Sequence, residues 1–114
     1  MMRLDPALLR DMLLDLEDAP TAFLRPSRDD TRVWYHYQIL ADDGLVAACG
    51  ESYRLTRAGH DTCALLRDAT LWYRVMEISE EVGGLSWAIM IELCSARLSK
   101  RVERSIHRTG IDVR

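Results

Sequence analysis

The sequence predicts a mainly α-helical chain carrying one small β-hairpin, and three observations support that expectation. Apolar residues recur at helical spacing through most of the 114 residues. The period changes to a short alternating pattern only once, after Gly44. Nearly every break in the pattern carries Gly, Pro or a short polar capping residue. Apolar residues make up 48% and charged residues 29%, a balance that suits a folded domain and argues against disorder. This length leaves room for one core and an appended helix.

Asp5 is a good N-cap and Pro6 fits the first helical position, where its missing N–H costs nothing. Leu8, Leu9, Met12, Leu13 and Leu16 then form an apolar stripe, so a helix is expected over 5–17. Asp18-Ala19-Pro20 ends it, because the residue before proline is pushed away from helical angles. Residues 21–28, closed by Pro26, fit a short edge strand around Phe23. Asp29 or Asp30 caps a second helix over 30–43, which Gly44 stops by adopting the left-handed conformation. Its inner face is expected to be Val33, Tyr37 and Leu40.

Leu45–Cys49 and Tyr53–Thr56 flank Gly50-Glu51-Ser52 and read as a hairpin over 45–56. Thr56 caps a third helix over 56–67, and Gly59 lets that helix pack close to its neighbour. Asp68 precedes a longer helix carrying Leu71, Trp72, Val75, Met76 and Ile78. Gly83-Gly84 is the clearest break in the chain. Beyond it Ser86 caps a last helix with Trp87, Met90, Ile91, Cys94 and Leu98 on one face, expected to fray after about Ile106.

Two stretches carry a resemblance. Leu40-Ala41-Asp42-Asp43-Gly44-Leu45-Val46 has the Leu-x-x-x-Gly-Leu-Val form that ends a recognition helix, and Leu55-Thr56-Arg57-Ala58-Gly59 has the Leu-Thr-x-x-Gly form that follows a wing. Together they resemble the second half of a bacterial winged helix-turn-helix domain. The resemblance implies a winged-helix core over 1–67, with C-terminal helices over 68–114 packing on that core or on a second subunit. The whole chain is similar to a family of small phage- and prophage-associated bacterial proteins of unknown function. The matching features are the Pro6–Leu16 helix, Tyr35-His36, Gly44-Leu45, Gly59-His60, the Leu66–Trp72 junction and Gly83-Gly84-Leu85. That likeness implies a fold and a phage setting, and it brings no catalytic residues.

The charge is unevenly placed. Residues 1–96 carry nine Lys/Arg against sixteen Asp/Glu, a net of −7, while residues 97–114 carry six against two, a net of +4. An acidic body is a poor base for broad phosphate contact. The basic tail suits either local phosphate contact or a solvated helix face. No apolar run approaches the roughly 20 residues that span a bilayer. The opening residues lack the apolar stretch of a secretory signal, so the cytoplasm is the expected compartment. Cys49, Cys63 and Cys94 are odd in number and widely spaced, which supports neither a disulfide framework nor a zinc site; buried thiols are expected.

No catalytic constellation emerges. His36, His60 and His107 stand alone, the serines lack a nucleophile-elbow context, and Glu80-Glu81 reads as a solvated helix turn. Gly83-Gly84 lacks the strand and lysine of a phosphate-cradling loop. A non-enzymatic protein without cofactor or metal is therefore expected, one that binds a macromolecule. The candidate partner-binding residues are Arg32, Trp34, Tyr35, Gln38 and Ile39 on the outward face of the second helix, with Arg54 on the hairpin. Arg32, Gln38 and Arg54 suit DNA, whereas Trp34 and Ile39 do not, and Asp42-Asp43 repel phosphates. Either later helices cover Trp34 and Ile39 as ordinary core, or the face meets a protein partner or a second copy. A protein partner is expected ahead of DNA, with a homodimer through the last helix as a further possibility and no membrane. A protein-directed inhibitor, such as an anti-defence factor of the anti-CRISPR kind, is the alternative.

Overall fold

The computed structural model describes residues 3–109. Their order is α1 (Pro6–Asp18), α2 (Thr31–Asp42), β1 (Val46–Cys49), β2 (Ser52–Leu55), α3 (Arg57–Leu66), α4 (Ala69–Glu81) and α5 (Trp87–Thr109). The architecture is mainly helical with one small antiparallel hairpin, as the periodicity predicts. The chain divides into two compact units between Ala64 and Leu65. None of the described helices is long and apolar enough to cross a membrane.

In the N-terminal unit, the Asp5 side chain accepts from the backbone N–H groups of Ala7 and Leu8, at 3.1 and 3.3 Å, and starts α1. The helix buries Leu9, Met12, Leu13 and Leu16. Asp30 caps α2 by accepting from the Val33 N–H at 3.1 Å. The face that α2 buries is His36, Tyr37 and Leu40, while Val33 is only half-buried. His36, a lone polar residue in the sequence, is thus fully enclosed.

Gly44 turns the chain at φ 75°. β1 and β2 then pair from Val46–Leu55 to Cys49–Ser52, leaving Gly50-Glu51 as a two-residue loop. Positive φ at Gly50 alone marks the type II′ turn, whose twist matches the flanking strands. The expected edge strand around Phe23 is reduced to one antiparallel bridge, Leu24 to Tyr53, with backbone bonds of 2.9 and 2.8 Å. Pro26 has no N–H to donate and limits its extension.

The start of α3 is tied to the hairpin. Thr56 Oγ1 donates to the Gly44 carbonyl at 2.6 Å and accepts from the Gly59 N–H at 3.1 Å. A Cβ on Gly59 would lie 2.0 Å from the Leu45 carbonyl oxygen, so only glycine lets the helix come this close. Cys63 is buried and donates its thiol to the Leu13 carbonyl at 3.4 Å. Cys49 departs from the expected burial: it ends β1 opposite Ser52, next to the hairpin turn, and is exposed.

The C-terminal unit is a helical pair. Asp68 caps α4 through the Leu71 N–H at 3.1 Å. Leu71, Trp72 and Val75 of α4 are buried, as are Trp87, Met90 and Cys94 of α5. The Trp72 and Trp87 rings meet edge to face with centroids 6.2 Å apart. Gly83 and Gly84, both at positive φ, make the reversal, and Ser86 Oγ accepts from the Ile89 N–H at 3.3 Å to begin α5. That helix runs without interruption to Thr109, past the expected fraying point near Ile106. Asp112 and Arg114, counted above in the basic tail, lie outside the described residues.

Candidate partner-binding surface

Asp5, just ahead of α1, ties the first turns of α2 to α1 through Arg32 and His36. Asp5 uses its carboxylate twice, capping α1 and pairing with the Arg32 guanidinium. Its backbone N–H donates to His36 Nε2 at 3.0 Å, and His36 Nδ1 lies 2.8 Å from the Arg32 carbonyl. A carbonyl only accepts and an N–H only donates, so a neutral ring with its proton on Nδ1 satisfies both contacts. Arg32, His36 and Asp5 therefore clamp α1 to α2.

Tyr53 on β2 organises the rest. Its ring stacks on Tyr37, with centroids 4.7 Å apart and planes 11° from parallel. Trp34 meets the same ring edge-on at 5.7 Å. The Tyr53 hydroxyl accepts from Gln38 Nε2 at 2.6 Å. Burial, aided by the Asp15 carboxylate and by Tyr53, pushes the Tyr37 phenol up to about 12. On its open side, Trp34 is covered by the Arg28 guanidinium, 5.7 Å from the ring centroid. Arg25 and Arg28 both reach Glu51 in the hairpin turn. The Arg28 and Glu51 side chains are 67% and 42% exposed, so their pairing orients the loop and stabilises the fold by at most about 1 kcal/mol.

The expected site residues thus have different fates. Arg32, Trp34 and Gln38 spend their functional groups within the N-terminal unit, and Arg54 donates to the carbonyl of its neighbour Leu55 at 3.2 Å. Tyr35 is exposed, edge-on to His36, and Ile39 is half-buried. Trp34 is half-buried as well. Sequence reasoning missed Tyr53, Arg28 and Asp5 as members of this surface. Alternation on β2 marks Tyr53 as inward, but the 19–30 connection has no period that would bring Arg28 over Trp34.

A second surface lies in the C-terminal unit. An open groove of about 350 Å³ is lined by Leu71 of α4 and by Leu93, Ala96, Arg97, Lys100, Arg101 and Arg104 of α5. Arg101 crosses it to pair with Asp68. The Leu71 N–H bond and the Arg101 guanidinium hold the Asp68 carboxyl below its usual range. Among the described residues, no group of three or more His, Cys, Asp or Glu side chains is placed to hold a metal ion. Compared with known proteins, no family model, no curated protein and no solved structure matches the chain.

Proposed function

We propose that this chain is a non-catalytic regulatory protein of phage type that works by binding a protein partner on a winged-helix scaffold. The observation that carries this reading is the internal use of the α2 donors. Base readout needs Arg, Gln or Asn side chains free to reach the major groove. Arg32 is taken by Asp5 and Gln38 by Tyr53. α2 exposes Tyr35 and leaves part of Trp34 and Ile39 to solvent, with Arg28 beside them; Arg32 and Gln38 are exposed too, each engaged by a partner in the same unit. Trp, Tyr and Arg are the residue types enriched where interfaces have their strongest contacts.

A pull-down from a bacterial host, using wild type and a Trp34→Ala/Tyr35→Ala variant in parallel, tests this. The variant is expected to lose the captured protein while keeping its thermal unfolding midpoint within a few degrees. Equal capture by both proteins would remove α2 as the binding face. Within the same reading, a protein-directed inhibitor of the anti-defence kind is favoured by the charge of the N-terminal unit. That unit has seven arginines against eleven carboxylates, a net of −4, which suits competition for a basic nucleic-acid-binding surface. Captured partners with basic, nucleic-acid-binding surfaces would favour the inhibitor over the regulator.

A further inference from the structure

From Arg97 onward, the apolar stripe of α5 gives way to cations. Arg97, Lys100, Arg101, Arg104 and Arg108 follow at steps of three, one, three and four residues, a spacing that gathers them on one side of the helix. Glu103, the sole acid between Arg97 and Thr109, falls away from that side. Four of the five cations line the groove edged by Leu71 and Leu93. Among the described residues, Arg97, Lys100 and Arg104 have no ion-pair partner, and Arg101 has Asp68. A merely solvated helix face mixes signs at positions three and four apart, since like charges there oppose the helix. Here only Lys100 has an acid three residues away, Glu103, and the other charged neighbours at three and four are cations.

We infer that this face of α5 binds the phosphate backbone of duplex nucleic acid without reading its sequence. From Arg97 to Arg108 the helix rises about 16 Å. A duplex strand presents a phosphate about every 3.4 Å of axis, so that length meets on the order of five phosphates. Four of the five cations are arginines, whose planar fork engages phosphate oxygens in pairs. The groove is open, and its cations follow one another along the helix axis, which suits a charged rod lying along the helix. The inference is independent of the reading of α2, since it concerns the other unit and a different chemistry.

Fluorescence anisotropy with a labelled mixed-sequence duplex of about 20 base pairs, in salt between about 50 and 200 mM, tests it. Wild type is expected to bind with log K falling against log salt at a slope of about −3.6, the value for the four cations other than Arg101, which Asp68 holds. Arg97→Ala/Arg104→Ala should reduce the slope by about 2 and weaken binding at the lowest salt by about tenfold or more. Lys100→Arg should bind like wild type, and far-ultraviolet circular dichroism should show the helix intact in both variants. Trp34→Ala/Tyr35→Ala leaves α5 untouched and should also bind like wild type, so the two readings fail separately. No binding at the lowest salt, or full binding by Arg97→Ala/Arg104→Ala, overturns the inference. So does tighter binding to a poly-glutamate peptide than to the duplex, which would assign the face to an acidic protein.

Discussion

At the scale of single residues, the N-terminal unit depends on two polar groups that sequence patterning treats as incidental. His36 is fully buried with both ring nitrogens engaged. Replacing it with leucine leaves the Asp5 N–H without its acceptor beside the α1 cap. His36→Leu should cost on the order of 1 kcal/mol, the penalty for stranding a part-buried donor. Urea unfolding measures it, and a loss no greater than that of the exposed His107→Leu control would show the contact to be idle. Tyr37 makes a pH-dependent contribution. Its folded value of about 12 lies above the ordinary 10.0, so folding favours the neutral phenol. That stability is fully present below pH 10 and is lost as pH rises from there towards 12. Between pH 9 and pH 12 the wild type should lose on the order of 1–2 kcal/mol more than Tyr37→Phe does, after allowance for solvent screening. Parallel urea curves across that range would expose an absent difference.

At the scale of elements, close approaches matter more than propensities. α3 meets Leu45, just ahead of the hairpin, at Gly59, where an added Cβ would lie 2.0 Å from the Leu45 carbonyl oxygen. Backbone cannot swing aside as a side chain can, so Gly59→Ala should destabilise by about 1–3 kcal/mol despite alanine's better helix propensity. A stability gain would mean the helix simply slides. α4 begins at an ionised cap. Because the folded Asp68 carboxyl is held below its usual range, its contribution is present above the ordinary carboxylate pKa and is lost as pH falls through the lowered one. Asp68→Asn keeps a capping oxygen but cannot ionise or hold Arg101 by charge. Its unfolding midpoint should lie below wild type at pH 6, with the gap closing on acidification; a constant gap would assign the loss to packing. α5 itself is one continuous helix with two surfaces: an apolar stripe through Cys94 against α4, then a cationic face.

At the scale of the whole molecule, the two units carry opposite electrostatic tendencies, an N-terminal net of −4 and a basic second half of α5. The elements were legible because their signals are local. Asp5, Asp30 and Asp68 cap the helices they precede, and Gly44, Gly50 and Gly83-Gly84 sit where the backbone needs positive φ. The candidate site was legible only in part. Helical spacing places Trp34, Tyr35, Gln38 and Ile39 on the outward side of α2, as expected, and it also aligns Arg97, Lys100, Arg101 and Arg104. Spacing along one helix says which side a residue faces, and nothing about what arrives there from elsewhere in the chain. The helices, the hairpin turn and the cationic stripe follow from local signals, because caps, glycines and periodicity act over a few residues. The engagement of Arg32 and Gln38 and the holding of Trp34 emerge only once the chain is folded. Their partners Asp5, Tyr53 and Arg28 come from other elements, and contact between distant segments is a property of packing.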